Sequence, residues 1–276
     1  MSEKIPVAIL GTGLIGTDLL MKVIRSPLLE CVMFAGQRKD SPGIEKAKEF
    51  GIPTSDKSID AILKSNARIV FSATTAKAHQ EHSPKLKDRF VLDLTPSHIG
   101  KLCVPEINLE ECLSEQELSL GSCGVQATIP LINALVNPSY VEVVSTIASK
   151  SAGLGTRNNI DEYTRITSDA ITELCQVKSK AIIILNPAEP PIVMHNTIYA
   201  VVERKPNLKK VVARMKEYVP GYRLILKPVF ETNRLTFINE VTGSGDYLPP
   251  YAGNLDMINC IALYIAESYA KKNQKD

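Results

Sequence analysis

Residues 4–20 read KIPVAILGTGLIGTDLL, a short apolar run that stops at Gly11 and continues with apolar residues at helical spacing. The letters GTGLIG, residues 11–16, match GxGxxG between a predicted strand and a predicted helix. In that setting the first glycine permits a tight turn, the second lets the backbone approach a pyrophosphate, and the third lets helix and strand pack closely. The helix N-terminus attracts the anion. The stretch predicts a dinucleotide-binding unit, and the alternative is a glycine-rich turn in an α/β protein with another ligand.

The segments after this turn keep the same alternation of strand and helix as far as residue 138. Nearly continuous apolar runs at 28–36, 67–74 and 89–95 are typical of strands covered on both faces, and helices between them indicate a parallel sheet. Later runs alternate polar and apolar residues, which favours a mixed or antiparallel sheet in a second domain. These predicted strands are 140–149, 180–186, 197–204, 222–230 and 234–241. We expect helices at about 159–175 and 254–270.

Composition and charge narrow the function classes. The chain has 276 residues and a formal net charge of +2, with no basic stripe, so nucleic acid is not expected as a main partner. No apolar run is long enough to cross a bilayer, and the chain enters a strand at once, so we expect no membrane segment or leader. Six cysteines without a CxxC pair indicate reduced thiols and a cytoplasmic protein. No metal is expected, because His79 and His82 could share a helix face but have no third ligand.

One cysteine has a special setting. SCGVQATIP, residues 122–130, places Cys123 between a strand-like and a helix-like run. A cysteine there can simply pack as a small apolar side chain, or it can be reactive because a helix N-terminus favours the thiolate. Position alone leaves both open. In a dinucleotide fold, a thiol that attacks an aldehyde gives a thiohemiacetal that can release hydride and leave a thioester.

Several long motifs resemble one family. These are GTGLIGTDLL, DLTPSHIG, SCGVQATIP, SKSAGLGTRNNIDEYT, LNPAEPP, VPGYRL and GDYLPPYAGNLD, which span residue 11 to about 260. The sequence resembles the acylating, coenzyme A (CoA)-dependent acetaldehyde dehydrogenases that partner 4-hydroxy-2-oxovalerate aldolases. The resemblance implies an α/β fold: a Rossmann-type doubly wound parallel sheet with an inserted α+β catalytic and dimerisation domain. Residues 1–122 plus 254–276 would form the dinucleotide-binding domain, and 123–253 the catalytic and dimerisation domain.

The resemblance also implies site residues. Cys123 falls on the acyl-thioester cysteine, and Asn254 on the asparagine beside the nicotinamide and the reacting centre. The first coenzyme loop would be Thr12, Gly13, Leu14 and Ile15. The second coenzyme segment would be Ser151, Ala152, Gly153, Leu154, Gly155, Thr156, Arg157, Asn158 and Asn159. In these roles we expect Cys123 to be a thiolate near neutral pH, with its oxyanion met by backbone N–H groups and the Asn254 amide.

The implied activity is oxidoreduction of a short aldehyde with CoA and NAD(P)+ to acyl-CoA and NAD(P)H. The implied partners are the aldehyde or acyl-CoA, a second copy in a homodimer or larger oligomer, and an aldolase. One alternative is a phosphorylating or semialdehyde-type dehydrogenase, although residues 123–130 offer no arginine for an anion site. Another alternative is a low-activity, coenzyme-binding partner subunit of an aldolase.

Three departures from the family pattern bear on these roles. The family carries an aspartate where Arg38 stands, so Arg38 with Lys39 could meet the 2′-phosphate of NADP, or form only an exposed basic loop. The family carries an acid where Asn196 stands, in a segment interpreted as a loop, so His195 or Glu189 would have to replace it as a base. The chain is also shorter at its C-terminal end than the family, which weakens the expectation of an aldolase contact.

Overall fold

The computed structural model describes residues 3–153, 157 and 160–274. By contacts between residues the chain forms two compact units. The first unit comprises Met1–Leu120, Asp246–Leu248 and Ile258–Asp276, and the second comprises Gly121–Gly245 and Pro249–Met257. Residues 254–257 therefore have their contacts in the second unit. The assignment of a separate function to each domain stays a prediction.

The first unit is built on a parallel sheet of seven strands among the described residues, in the order β3-β2-β1-β4-β5-β7-β6. Its strands are β1 (Ile5–Leu10), β2 (Leu29–Ala35), β3 (Thr54–Ser55), β4 (Ile69–Ser72), β5 (Phe90–Asp93), β6 (Lys101–Leu102) and β7 (Glu117–Ser119). Its helices before residue 120 are α1 (Leu14–Arg25), α2 (Pro42–Glu49), α3 (Ile59–Lys64), α4 (Ala76–His82) and α5 (Pro105–Cys112). The central strands β1, β4 and β5 are almost wholly buried, as continuous apolar runs predict. The predicted doubly wound parallel sheet is confirmed.

The order of the strands fixes where this sheet can bind a ligand. Strands β2 and β3 follow β1 in the chain and lie on one side of it, whereas the next strand, β4, lies on its other side. The direction in which strands are added to the sheet therefore reverses between β1 and β4. Open α/β sheets bind ligands in the crevice beyond the carboxyl ends of the strands at such a point. The GxGxxG turn follows β1 directly and therefore lies at this crevice.

The second unit contains a five-stranded sheet in the order β11-β12-β10-β8-β9, antiparallel except for the β8–β9 pair. Its strands are β8 (Tyr140–Ala148), β9 (Ser179–Asn186), β10 (Met194–Val201), β11 (Tyr222–Glu231) and β12 (Arg234–Val241). Helices α6 (Cys123–Asn133), α7 (Ile160–Cys175) and α8 (Lys209–Tyr218) complete it, and helix α9 (Gly253–Asn273) begins in this unit and ends in the first. The expectation of a mixed sheet after residue 138 is confirmed.

One predicted boundary is wrong in a way that matters for the site. The sequence predicts a loop at residues 194–196, whereas β10 begins at Met194 and pairs with β12 from Met194 and with β8 from His195. The polar letters of Met194-His195-Asn196-Thr197 hide a strand because β10 is central, and Asn196 faces the buried side. None of the described helices is both long and apolar enough to cross a membrane.

Candidate active site

The GxGxxG turn has the geometry that dinucleotide binding requires. Gly11 has a φ of +120°, and a methyl group there would lie 2.3 Å from the carbonyl oxygen of Ala73. A methyl group at Gly16 would lie 1.9 Å from the carbonyl oxygen of Gly11, so helix and strand approach too closely for a side chain. At Gly13 it would meet no described atom within 4 Å, which leaves the backbone open to a ligand.

The start of α1 fits an anion. Among the described residues no side-chain hydrogen bond caps this helix: Gly13 is the N-cap, and the first turn carries no acid. The N–H groups of the first turn therefore stay available to a phosphate, and the helix dipole favours its charge. Thr12, Gly13, Leu14 and Ile15 all lie on this partly exposed turn. The hydroxyl of Ser41 donates to Thr12 Oγ1 at 2.9 Å and fixes the turn against the start of α2.

Arg38 lies on the loop after β2, beside the predicted adenosine end of this site. Its Nη2 is 3.3 Å from Asp40 Oδ2, and the two side chains are 73% and 77% exposed. The hydrogen bond from Arg38 lowers the pKa of the Asp40 carboxyl. The loop thus holds a guanidinium that is bound to its own carboxylate, and a 2′-phosphate would have to compete with Asp40 for it.

Cys123 is the first residue of α6. The hydroxyl of Ser122 caps the helix by accepting a hydrogen bond from the N–H of Val125 at 3.2 Å. The backbone N–H groups of Cys123 and Gly124 face the sulfur, where they lower the thiol pKa. The side chain is half-buried, while all of its helix beyond it is buried as far as Ile132. A sulfur anchored on a buried helix with free amides beside it is a well-positioned nucleophile.

The thiol pKa moves in the direction opposite to the one expected from the helix start. Desolvation is the largest effect and raises the pKa of Cys123 above its ordinary value. The hydrogen bond with Tyr163 and the two backbone amides lower it, but they do not outweigh burial. Burial therefore opposes the effect of the helix start on this thiol, and a thiolate near neutral pH stays a prediction.

A buried polar cluster lies beside this sulfur. The Tyr163 hydroxyl on α7 is 3.4 Å from Cys123 Sγ, and both this hydroxyl and that of Ser145 lie against Gly124. Ser145 on β8 donates to Asn196 Oδ1 on β10 at 2.7 Å. Ser145 and Asn196 are fully buried, and Tyr163 is 7% exposed. The position where the resembled family carries an acid thus lies in the same buried polar cluster as the hydroxyl that contacts the sulfur.

Neither His195 nor Glu189 lies where it could replace the acid that the resembled family carries at position 196. Because side chains alternate along a strand, His195 faces the opposite side of the sheet from Asn196. There its Nε2 lies 2.9 Å from Glu240 Oε2. Glu189 is exposed and pairs with Lys150 at 2.5 Å. The polar cluster beside Cys123 therefore contains the carboxamide of Asn196 and neither of these two groups.

The second predicted coenzyme segment is only partly described. Ser151 Oγ donates to the carbonyl of Ala148 at 2.9 Å, and Arg157 Nε donates to the carbonyl of Ala152 at 3.2 Å. A methyl group at Gly153 would meet none of the described residues within 4 Å. The predicted residues that lie outside the described part of the chain are Leu154, Gly155, Thr156, Asn158 and Asn159.

Asn254 contacts this segment directly. The side chain is 3% exposed, and its Nδ2 donates to the carbonyl of Ser151 at 3.3 Å. Its Oδ1 is buried and has no hydrogen-bond donor among the described residues. The structure therefore brings Asn254 and Ser151 together, as it brings together the four residues of the first loop. The proximity of Asn254 to Cys123 stays a prediction.

Two other polar features take no part in the predicted sites. His79 is fully buried, with Nδ1 2.9 Å from Ser72 Oγ and Nε2 3.0 Å from Glu117 Oε1, so it is held inside the parallel-sheet unit. A cavity of about 820 Å³ lies near the amino ends of β4, β5 and β7, lined by residues that include Arg68, Lys87 and Lys272. That edge of a parallel sheet is the one opposite to the predicted coenzyme crevice.

Sequence reasoning missed Tyr163, Ser145 and Gly124 as parts of the site. Tyr163 stands within the motif SKSAGLGTRNNIDEYT, for which the sequence predicts only coenzyme binding. A methyl group at Gly124 would lie 2.5 Å from the Tyr163 hydroxyl and 3.3 Å from Ser145 Oγ. The glycine directly after Cys123 was the sequence signal that another side chain packs against this turn of the helix.

Comparison with known proteins points in one direction. Residues 123–249 match the family model described as "Prokaryotic acetaldehyde dehydrogenase, dimerisation". Curated relatives named acetaldehyde dehydrogenase include one from Brevibacillus brevis, 48% identical over 98% of this chain and 97% of the relative. Another, from Spirochaeta aurantia, is 47% identical over 98% of this chain and 96% of its own. A solved structure, aspartate semialdehyde dehydrogenase II complexed with ASA from Vibrio cholerae, is 13% identical with a TM-score of 0.64, covers 96% and 98% of the two chains, and shares the fold.

Proposed function

The chain belongs to the acetaldehyde dehydrogenase family, and we propose that it converts a short aldehyde, CoA and NAD(P)+ to acyl-CoA and NAD(P)H through a thioester on Cys123. The observation that carries the proposal is the position of Cys123 at the first residue of α6, with its sulfur facing two backbone amides and the Tyr163 hydroxyl. The reaction is an oxidation of the aldehyde carbon, coupled to transfer of the resulting acyl group.

Cys123 would carry out the carbon chemistry. Its deprotonated sulfur attacks the carbonyl carbon and forms a C–S bond, which leaves a thiohemiacetal with an oxyanion. The backbone N–H groups of Cys123 and Gly124, which face the sulfur, would donate hydrogen bonds to this oxyanion. The second hydrogen of the Asn254 amide is a third candidate donor. The carbon then loses hydride and becomes a thioester. The thiolate of CoA attacks this carbonyl, the C–S bond to Cys123 breaks, and the enzyme sulfur is regenerated.

The residues of the first unit fit a nicotinamide coenzyme. The bound coenzyme supplies the hydride acceptor. Gly13 leaves room for the pyrophosphate, and the uncapped start of α1 offers N–H groups to its charge. Ser151, Ala152, Gly153 and Arg157 would form the described part of the second coenzyme segment. We assign coenzyme binding to residues 1–122 plus 254–276 and catalysis to 123–253.

The loop after β2 supports the use of NADP as well as NAD. It lacks the acid that accepts ribose hydroxyls and repels a 2′-phosphate at the end of the second strand of such folds. Arg38 offers a planar guanidinium there, and its exposed pair with Asp40 is easily exchanged because exposed ion pairs are weak. We therefore propose that the protein accepts NADP as coenzyme at least as well as NAD.

The outer face of the second unit supports a homodimer. Register places Ile182, Val144, Thr197, Ile238 and Leu226 in one row across the five strands. Ile182, Ile184, Tyr199, Ile225, Leu226 and Val229 on β9, β10 and β11 are all at least 36% exposed. An apolar sheet face of this kind is a feature of subunit interfaces, and the matched family model bears the word dimerisation. An aldolase is the further partner that the resemblance implies.

The proposal is tested by turnover. The purified protein is mixed with acetaldehyde, CoA and either coenzyme, and reduced nicotinamide and acetyl-CoA are measured together. Cys123→Ala should abolish acetyl-CoA formation and leave the coenzyme dissociation constant unchanged. Retained turnover in Cys123→Ala would overturn the thioester mechanism, and reduction of coenzyme without CoA consumption would overturn the acylating reaction.

A further inference from the structure

We propose that Tyr163 is a second catalytic residue, whose hydroxyl donates a hydrogen bond to the Cys123 thiolate and makes its formation possible in a desolvated site. The inference rests on the proposed function of Cys123 as nucleophile. The hydroxyl oxygen lies 3.4 Å from Sγ, a hydrogen-bonding distance for sulfur. The two residues come from helices α6 and α7, which pack against each other within the second unit.

The hydroxyl of Tyr163 is suited to donate a hydrogen bond to the sulfur. Burial, followed by the neighbouring sulfur, raises the pKa of Tyr163 well above its ordinary value. A buried phenol with such neighbours is a donor rather than a base. It cannot remove the thiol proton, but it can stabilise the charge that remains after the proton has left.

The hydroxyl of Tyr163 has the sulfur as its hydrogen-bonding neighbour at 3.4 Å, and Ser145 Oγ lies beside it over Gly124. The hydroxyl of Ser145 already directs its own hydrogen to Asn196 Oδ1. When the sulfur is charged it becomes a stronger acceptor, because hydrogen bonds to ions are about twice as strong as those between neutral groups. The contact therefore strengthens as the nucleophile forms.

The residue next to the nucleophile makes space for this contact. A methyl group at Gly124 would lie 2.5 Å from the Tyr163 hydroxyl oxygen and 3.2 Å from Cζ. Any side chain at residue 124 would therefore push the phenol away from the sulfur. The hydroxyl is over the backbone of the nucleophile's own helix turn, where only glycine permits it.

The test measures the thiol and needs no turnover. Alkylation of Cys123 by iodoacetamide is followed by peptide mass spectrometry against pH in the native chain and in Tyr163→Phe. Loss of one hydrogen bond to a charged group should raise the pH midpoint of alkylation by about one unit, a tenfold loss of rate at neutral pH. The same variant should lose kcat and keep its affinity for coenzyme.

The matched control is Thr167→Val. Thr167 is also fully buried on α7, and its hydroxyl lies 2.9 Å from Ser122 Oγ. Its removal takes a buried hydroxyl from the same packed region without touching the sulfur. Thr167→Val should lower the melting temperature and leave the alkylation midpoint in place.

The outcomes separate the two claims. An unshifted midpoint in folded Tyr163→Phe overturns the role of Tyr163, whatever Cys123 does. An equal shift in Thr167→Val overturns it as well, because the effect would then be one of packing. If Tyr163→Phe does not fold, Gly124→Ala provides the same displacement, and an unchanged midpoint there is decisive against the proposal. Retained turnover in Cys123→Ala would instead overturn the proposed function.

Discussion

The hydroxyl of Tyr163 lies 3.4 Å from the sulfur of Cys123, and the two residues are separated by 40 positions in the chain. The contact joins the start of α6 to the first half of α7. The reactivity of the thiol therefore depends on how two helices pack, in addition to the helix terminus on which the cysteine stands.

The pH dependence of the reaction should reflect desolvation of the thiol. Because burial raises the pKa of Cys123, the deprotonated and reactive form is fully populated only above that raised value. We expect kcat/KM to rise from pH 6 to pH 9, with the ascending limb above that of a free thiol. Steady-state rates in buffers of constant ionic strength measure this. A rate that is already maximal at pH 7 would contradict the desolvated thiol.

Gly124→Ala should destabilise the chain because the new methyl group overlaps the Tyr163 hydroxyl at 2.5 Å. The loss should be on the order of 1–3 kcal/mol, as for other overpacked sites. In a Tyr163→Phe background the overlap is smaller, so the same substitution should be less damaging. Urea unfolding of the two single variants and the double variant gives the coupling free energy, and strict additivity would show that residue 124 does not contact the phenol.

Coenzyme choice should depend on the loop after β2. Asp40→Asn removes the carboxylate that holds Arg38, so the guanidinium becomes free for a 2′-phosphate and kcat/KM for NADP should rise. Arg38→Asp should lower the same constant strongly, because it replaces attraction by repulsion. Rates with NAD serve as the internal control in each variant. A strong native preference for NAD, unmoved by both substitutions, would show that this loop does not read the 2′ position.

Asn196→Asp should raise the rate at neutral pH. Ser145 would then donate to a carboxylate in the polar cluster beside the thiol, and this carboxylate could act as the base that the native chain lacks.

Asn239→Asp is the matched control for this change. Asn239 is equally buried and lies opposite Asn196 on β12. Its Nδ2 donates a hydrogen bond to the carbonyl of Ala127. It should bring a buried carboxylate without a gain in rate. An inert or slower Asn196→Asp enzyme, correctly folded, would show that an acid at this position has no role here.

The outer sheet face should be the place where two copies meet. Leu226→Glu puts a charge into the exposed apolar row of the second unit, where desolvation of a carboxylate is costly. We expect a monomer by size-exclusion chromatography with light scattering. Lys216→Glu, on the exposed side of α8, is the control and should leave the mass unchanged. A dimer that survives Leu226→Glu with unchanged dissociation constant would place the interface elsewhere.

Local patterns in the sequence predicted much of the architecture. The run from Ile5 to Gly16 predicted the first strand, the tight turn and the first helix, because continuous apolar residues and glycines at fixed spacing leave the backbone few alternatives. The alternation in Tyr140–Ala148 likewise predicted a strand with one buried face. The change from a strand-like to a helix-like run predicted that Cys123 stands at a helix start, and the resemblance of several long motifs identified the family.

The tertiary structure decided what surrounds the nucleophile. Residues 194–196 look like a loop in sequence and form part of a central strand, because Asn196 is stabilised by a hydrogen bond from Ser145, 51 positions earlier. Burial raises the pKa of the Cys123 thiol, although the helix start alone would lower it. The helix start is a local feature, whereas desolvation depends on every atom packed around the sulfur. Backbone propensity acts over a few residues and can be read from the letters. Burial and hydrogen bonding act between residues that only packing brings together, so the environment of Cys123 was settled by the fold.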